Sequence, residues 1–216
     1  MLRYLTALGA ASALLAGTAL VAPAVPAFAD APAAVSAQAS YPAPDVRSGT
    51  YQLDKSHAKI HWTVSHFGFS EYTGEFTDFD ARLMLDAAQP ERSRLTVTVS
   101  TPSVATHDEA LDAHLKNEDF FDVANHPTAT FNSTAINRTG ANSALVTGDF
   151  TMLGQTRPLT LNVTFNKAGD NMAGVYTAGF SATGTVKRSA YGMTYGAPAL
   201  GDDITLRISG EFNPVS

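Results

Sequence analysis

The segment YTAGFSATGTVKR, Tyr176 to Arg188, decides the fold. Tyr176, Ala178, Phe180, Ala182, Gly184, Val186 and Arg188 share one parity, while threonine, glycine, serine and lysine take the other. A period of two is that of a half-buried strand, whose successive side chains point to opposite faces. The same alternation recurs along the chain. Ile60, Trp62, Val64 and His66 form one such set, as do Phe79, Ala81, Leu83 and Leu85, and Leu95, Val97 and Val99. Leu159, Leu161, Val163 and Phe165 form another, and Ile204, Leu206, Ile208 and Phe212 close the series. Met172 reads as the start of the Tyr176 strand, and Thr128 to Ile136 as a further strand.

Between these runs lie turn-forming stretches: Asn137-Arg138-Thr139-Gly140, Gly154 to Pro158, and Lys167 to Asn171. Eight or nine strands joined by short turns, without βαβ alternation or repeats, indicate an antiparallel barrel or sandwich. Several strands are long, and glycines recur in them at Gly148, Gly174, Gly179 and Gly184. Long strands with interior glycines fit a curved barrel. One segment breaks the pattern. Thr106 to Phe131, THDEALDAHLKNEDFFDVANHPTATF, carries a short amphipathic helix that runs into a Phe-Phe pair and an Asn-His-Pro turn. Thr106 and Glu109 supply a capping box, Ala110, Leu111, His114 and Leu115 an apolar stripe, and Asn117 a left-handed end before Pro127. Such an insert can lie over an open barrel end as a plug or lid.

The N-terminus reads as an export signal. Arg3 precedes an apolar run from Leu5 to Ala22, and Ala27-Phe28-Ala29 has the form of a cleavage site, with a second such triplet at Ala37 to Ala39. The expected organisation is a signal peptide over 1–29, a disordered leader over 30–48 and one β-barrel domain over 49–216. An uncleaved anchor is the competing reading of the apolar run. Export places the protein in the periplasm or outside the cell. The net charge of −6 argues against nucleic acid and against a polybasic membrane surface, and the absence of cysteine excludes disulfides and thiolate chemistry.

Polar chemistry finds little support. His57 and His61 share a strand face, His66 has the other parity, and no spacing gathers a metal site. No nucleophile elbow, phosphate loop or dinucleotide fingerprint is present. Asp112 beside His114 points away from it on a helix and reads as structural. The aromatic residues are more informative. Trp62, Phe67, Phe69, Phe76, Phe79, Phe131, Phe150, Phe165, Phe180 and Phe212 sit mostly on strand positions. They either fill a packed core or line a cavity for one apolar ligand, and alternation alone leaves both readings open.

Four stretches occur in order: LDKSHAKIHWTVSHFGFSEYTGEFTDFDARL, LDAHLKNEDFFDVANHPTATF, VTGDFTMLGQTRPLTLNV and FSATGTVKRSAYGMTYGAPALGDDITLRI. Together they closely resemble the YceI-like family of exported lipid-binding proteins, over about Gly49 to Phe212. The resemblance implies a lipocalin-like all-β antiparallel barrel of about eight strands, with the helical insert closing one end. Its cavity would hold a polyisoprenoid or similar long-chain lipid, with no other cofactor and no metal. The family often carries a basic residue where this chain has Leu111, which removes a possible headgroup contact. The candidate lining is Trp62, Val64, Phe76, Phe79, Phe131, Phe150 and Phe180 on the wall and Leu111, Leu115 and Phe121 on the insert. Arg188, with Tyr191 beside it, is the candidate polar end, because a charge on an inward face is tolerable only at a mouth. Its alternative is an ion pair with Asp112 or Asp203. The leading function is sequestration or transport of an isoprenoid-type lipid without catalysis. A quinone-binding accessory of a membrane electron-transfer partner is the second reading, and a lipid enzyme the third.

Overall fold

The computed structural model describes residues 45–215. The predicted export signal, and the leader as far as residue 44, lie outside the described residues. Ten strands and one helix follow in chain order: β1 (Gly49–His66), β2 (Ser70–Phe76), β3 (Phe79–Leu85), β4 (Arg94–Ser100), β5 (Val104–Ala105), α1 (Glu109–Leu115), β6 (Thr128–Arg138), β7 (Ser143–Met152), β8 (Gln155–Asp170), β9 (Tyr176–Lys187) and β10 (Asp203–Pro214). Every pairing is antiparallel, and β10 returns to pair with β1, so the sheet closes on itself. Both β2 and β3 lie along β1, pairing Phe76 with Ile60 and Leu83 with Tyr51, and together act as one bent strand. The pair β4 and β5 does the same on the next position, so the ten segments form an eight-stranded barrel. Closure removes the sheet edges that an open β-protein must protect.

The alternation read from the sequence sets which residues face inward. Tyr51 and Leu53 point in with odd numbers, whereas Ala58, Ile60, Trp62 and Val64 point in with even numbers. A bulge between Asp54 and Lys59, where β1 shifts register against β10, resets the parity. Further bulges lie between Ser133 and Ala135 and between Phe165 and Lys167.

Three turns differ from the expectation, the first because Asn137 and Arg138 end β6 and leave the β6–β7 turn to residues 139–142. β7 and β8 are joined by Leu153-Gly154 alone, with φ of 51° and 70°, a mirror-image turn matching the twist of the strands. Gln155 to Pro158 is strand, and Pro158 is tolerated because β9 pairs with β8 only from Asn162 onward, leaving no ladder partner for its missing N–H. The β8–β9 turn lies after Asp170, so Lys167 to Asp170 is strand, while Met172 and Gly174 belong to the turn; Met172 is fully exposed. Two residues at the end of the expected leader contact the barrel. Arg47 stacks on the Tyr176 ring at 4.0 Å and accepts from the Tyr51 hydroxyl at 2.7 Å, while Val46 packs against the buried cluster around Tyr51 and Phe212.

Candidate functional site

The barrel is hollow. Ile204, Leu206 and Ile208 on β10 and Leu95, Val97 and Val99 on β4 face inward yet stay half-buried, because they border empty space instead of other side chains. The main cavity holds about 480 Å³ and a second, toward the opposite end, about 190 Å³. Ile60, Val97, Leu161 and Ile208, from four strands around the barrel, line both chambers and form a waist between them. From Leu53 in the small chamber to His66 at the mouth, a strand of this tilt spans roughly 30 Å along the barrel axis.

Glycines make room for the bulky wall residues. A Cβ on Gly74 would come within 2.3 Å of the Trp62 ring, one on Gly148 within 2.5 Å of Phe131, and one on Gly184 within 2.6 Å of Leu161. Each absent side chain lets a large neighbour lie flat against the wall, which keeps the centre open. The expected interior glycines Gly148 and Gly184 thus have a packing role.

Three segments frame the mouth. The first is the β1–β2 hairpin tip from His66 to Phe69. The second is the insert, where α1 is capped by Asp108, whose side chain accepts from the Leu111 N–H at 3.0 Å. Thr106, the expected cap, instead donates to Asp112 at 2.6 Å, and the helix ends in a right-handed Lys116, not a left-handed Asn117. Among the described residues β2 has a strand neighbour on its outer side only at Glu75 and Phe76, and there the Phe121 ring meets Phe76 edge-on at 5.4 Å. The insert therefore completes the wall beside the mouth. The third segment is the Met193–Gly201 loop. Tyr195 packs against His114 at 5.0 Å and Phe120 at 5.2 Å, closing the loop against the insert, while His114 bonds Asp119 at 2.9 Å. A bridge from His66 to Leu200 ties the loop to the hairpin.

Arg188 holds that loop. It is 2% exposed, and Nε donates to the Gly201 carbonyl at 2.7 Å, Nη1 to Met193 and Tyr195 at 2.9 Å each, and Nη2 to Leu200 at 2.8 Å. Burial pushes its pKa below the ordinary value, with Asp202 acting in the opposite sense. The side chain faces inward, as its parity predicts, and lines the main chamber, with four of its five N–H groups given to backbone carbonyls. The ion-pair alternative is corrected, since Asp203 takes Lys187 at 2.6 Å and Asp112 takes Thr106.

Trp62, Val64, Phe76, Leu111, Leu115, Phe121, Phe131 and Phe150 line the main chamber, as does Arg188. Phe79 and Phe180 line the small one. Tyr191 lines neither; it is buried against Phe150 at 5.4 Å, and burial raises its pKa. His66, Phe67, Met193, Tyr195 and Leu200 at the mouth, and the waist residues Val97, Leu161 and Ile208, were not anticipated as site residues. Inward parity marked the waist residues but could not say that they border a cavity.

Similarity to known proteins agrees with this architecture. A protein of the UPF0312 group from Pseudomonas putida strain GB-1 is 40% identical over 163 residues, covering 74% of this chain and 84% of the relative. The Campylobacter jejuni YCEI protein superposes with a TM-score of 0.64 at 29% identity, over 70% of this chain and 90% of that one. A polyisoprenoid-binding domain from Saccharophagus degradans shares the fold, with a TM-score of 0.54 at 11% identity over 78% of this chain and all of that one. The model of the YceI-like domain matches residues 51–212, from the first buried tyrosine of β1 to the last buried phenylalanine of β10, and the chain belongs to that family.

Proposed function

We propose that this protein binds and carries a long-chain isoprenoid-type lipid in the bacterial cell envelope, after export directed by its N-terminal segment, and performs no catalysis on it. The observation that carries this reading is the two-chamber apolar tube inside a closed barrel. Water in such a tube finds few partners, whereas a hydrocarbon tail gains about 25 cal/mol for each Å² of apolar surface it buries. A tube of roughly 30 Å suits an elongated tail better than a compact ligand. The polyisoprenoid-binding role of the Saccharophagus domain, on the same fold, supports the choice of lipid class.

The test is native mass spectrometry of the purified protein before and after organic extraction. A mass surplus that disappears on extraction, with a long-chain lipid in the extract, is the expected result. Equal masses and a lipid-free extract refute the reading. A redox-sensitive ultraviolet spectrum in the extract would identify a quinone and favour an electron-transfer partner.

A further inference from the structure

We infer that the aromatic hairpin tip at the mouth seats the barrel on a lipid bilayer, so that a tail passes between membrane and cavity without crossing water. The inference rests on the lipid-carrier reading and adds the surface through which the carrier loads. At the tip, Phe67 and Gly68 take left-handed backbone conformations, with φ of 54° and 73°, and the Phe69 N–H closes the turn on the His66 carbonyl at 3.0 Å. A phenylalanine in that region is uncommon and costs conformational energy, so its retention at an exposed tip calls for a use.

Exposure supplies the use. Phe69 is 92% exposed, Phe67 50% and Tyr195 48%. Phe67 and Tyr195 also line the main chamber, so the apolar surface runs without a break from inside the tube to the outside of the molecule. No lysine or arginine lies between Lys59 and Arg82, so attraction to anionic headgroups is not what holds this edge. Exposed aromatic rings around an apolar opening match the interfacial zone of a bilayer, where such rings are favoured.

Flotation with vesicles of zwitterionic phosphatidylcholine tests this with the purified protein, Phe69→Ser, Phe69→Trp, and Met172→Ser at the opposite end of the barrel. Phe69 does not line the cavity, so its replacement leaves cargo and thermal midpoint unchanged. Loss of one ring is expected to weaken partitioning about tenfold and to slow lipid transfer to vesicles in proportion. Phe69→Trp keeps partitioning, and Met172→Ser behaves as the parent. Flotation of Phe69→Ser equal to the parent, or self-association that Phe69→Ser abolishes without any vesicle binding, overturns the inference. Cargo mass separates the two readings: a lipid-loaded protein that does not float refutes docking alone, and a Phe69-dependent floating protein without cargo refutes the carrier alone.

Discussion

Replacing Arg188 by methionine keeps much of the side chain's length and removes all of its donors. Four bonds, at 2.7 to 2.9 Å, run from the guanidinium to the carbonyls of Met193, Tyr195, Leu200 and Gly201. At about 1 kcal/mol net for each bond, the loss is about 4 kcal/mol, a large share of the 5–15 kcal/mol typical of a domain. With a urea dependence of about 2 kcal/mol per molar, the midpoint falls by roughly 2 M if the loop unfolds with the barrel. Amide exchange at Gly201, Leu200 and Met193 should accelerate, because their N–H groups bond to Ser65, Gly196 and Arg188 only while the loop is held. Arg188→Lys keeps the charge but cannot reproduce the planar fork, and should recover part of the loss. The reasoning is refuted if Arg188→Met keeps its midpoint and loop protection while losing affinity for prenyl phosphate over prenyl alcohol, since Arg188 would then be a headgroup contact.

Gly74→Ala drives a Cβ to 2.3 Å from the Trp62 ring, and overpacking of this kind costs about 1–3 kcal/mol; because Trp62 is the sole tryptophan, its fluorescence maximum should shift with the urea midpoint. Val97→Phe narrows the waist and should shorten the tails extracted with the protein, read by mass spectrometry; an unchanged length distribution would show that tails stop above the waist. At the β1 bulge, hydrogen bonds from Ser56 and His57 lower the Asp54 pKa from 3.8 to about 2, and Asp54 raises that of His57 from 6.5. The Asp54 contribution is lost as pH falls toward about 2, and that of His57 as pH rises through its raised value. The thermal-midpoint difference between the parent and His57→Gln should therefore be greatest between pH 3.8 and 6.5, and small because the pair is solvent-exposed; a difference independent of pH would count against the pair.

The barrel was legible because burial on one face of a strand leaves a period of two in the sequence, and six segments carry it plainly. What the sequence could not display are relations between distant segments. Inward parity placed Arg188 correctly, but its acceptors are backbone carbonyls, which every residue carries and no pattern marks. Thr106 and Asp108 are both good caps, and only the folded position of Asp112 draws the threonine hydroxyl away. A left-handed Leu153 defies the usual glycine or asparagine rule, so the reading placed that turn too late. A filled barrel and a hollow one share the same alternation. The difference lies in residues such as Gly74 and Gly148, which let Trp62 and Phe131 press outward against the wall.

On the carrier reading, selection falls on the tail more than on the head. Four of the five N–H groups of Arg188 are taken by carbonyls, and the other polar groups lining the main chamber, among them His66, Tyr72, His114 and Tyr195, gather at the mouth, where water competes for any bond they offer. Below the mouth the main chamber carries no fixed charge, and in the small chamber the Arg138 guanidinium donates to the Gly140 and Ala141 carbonyls. Shape is what remains: the width at Ile60, Val97, Leu161 and Ile208, and the depth beyond them to the floor near Val46. An apolar pocket distinguishes one methylene by about 1–3 kcal/mol, so a waist of four aliphatic side chains can discriminate against bulk it cannot pass. A headgroup left at the mouth would also lie beside Phe67 and Tyr195, where a bilayer can receive it.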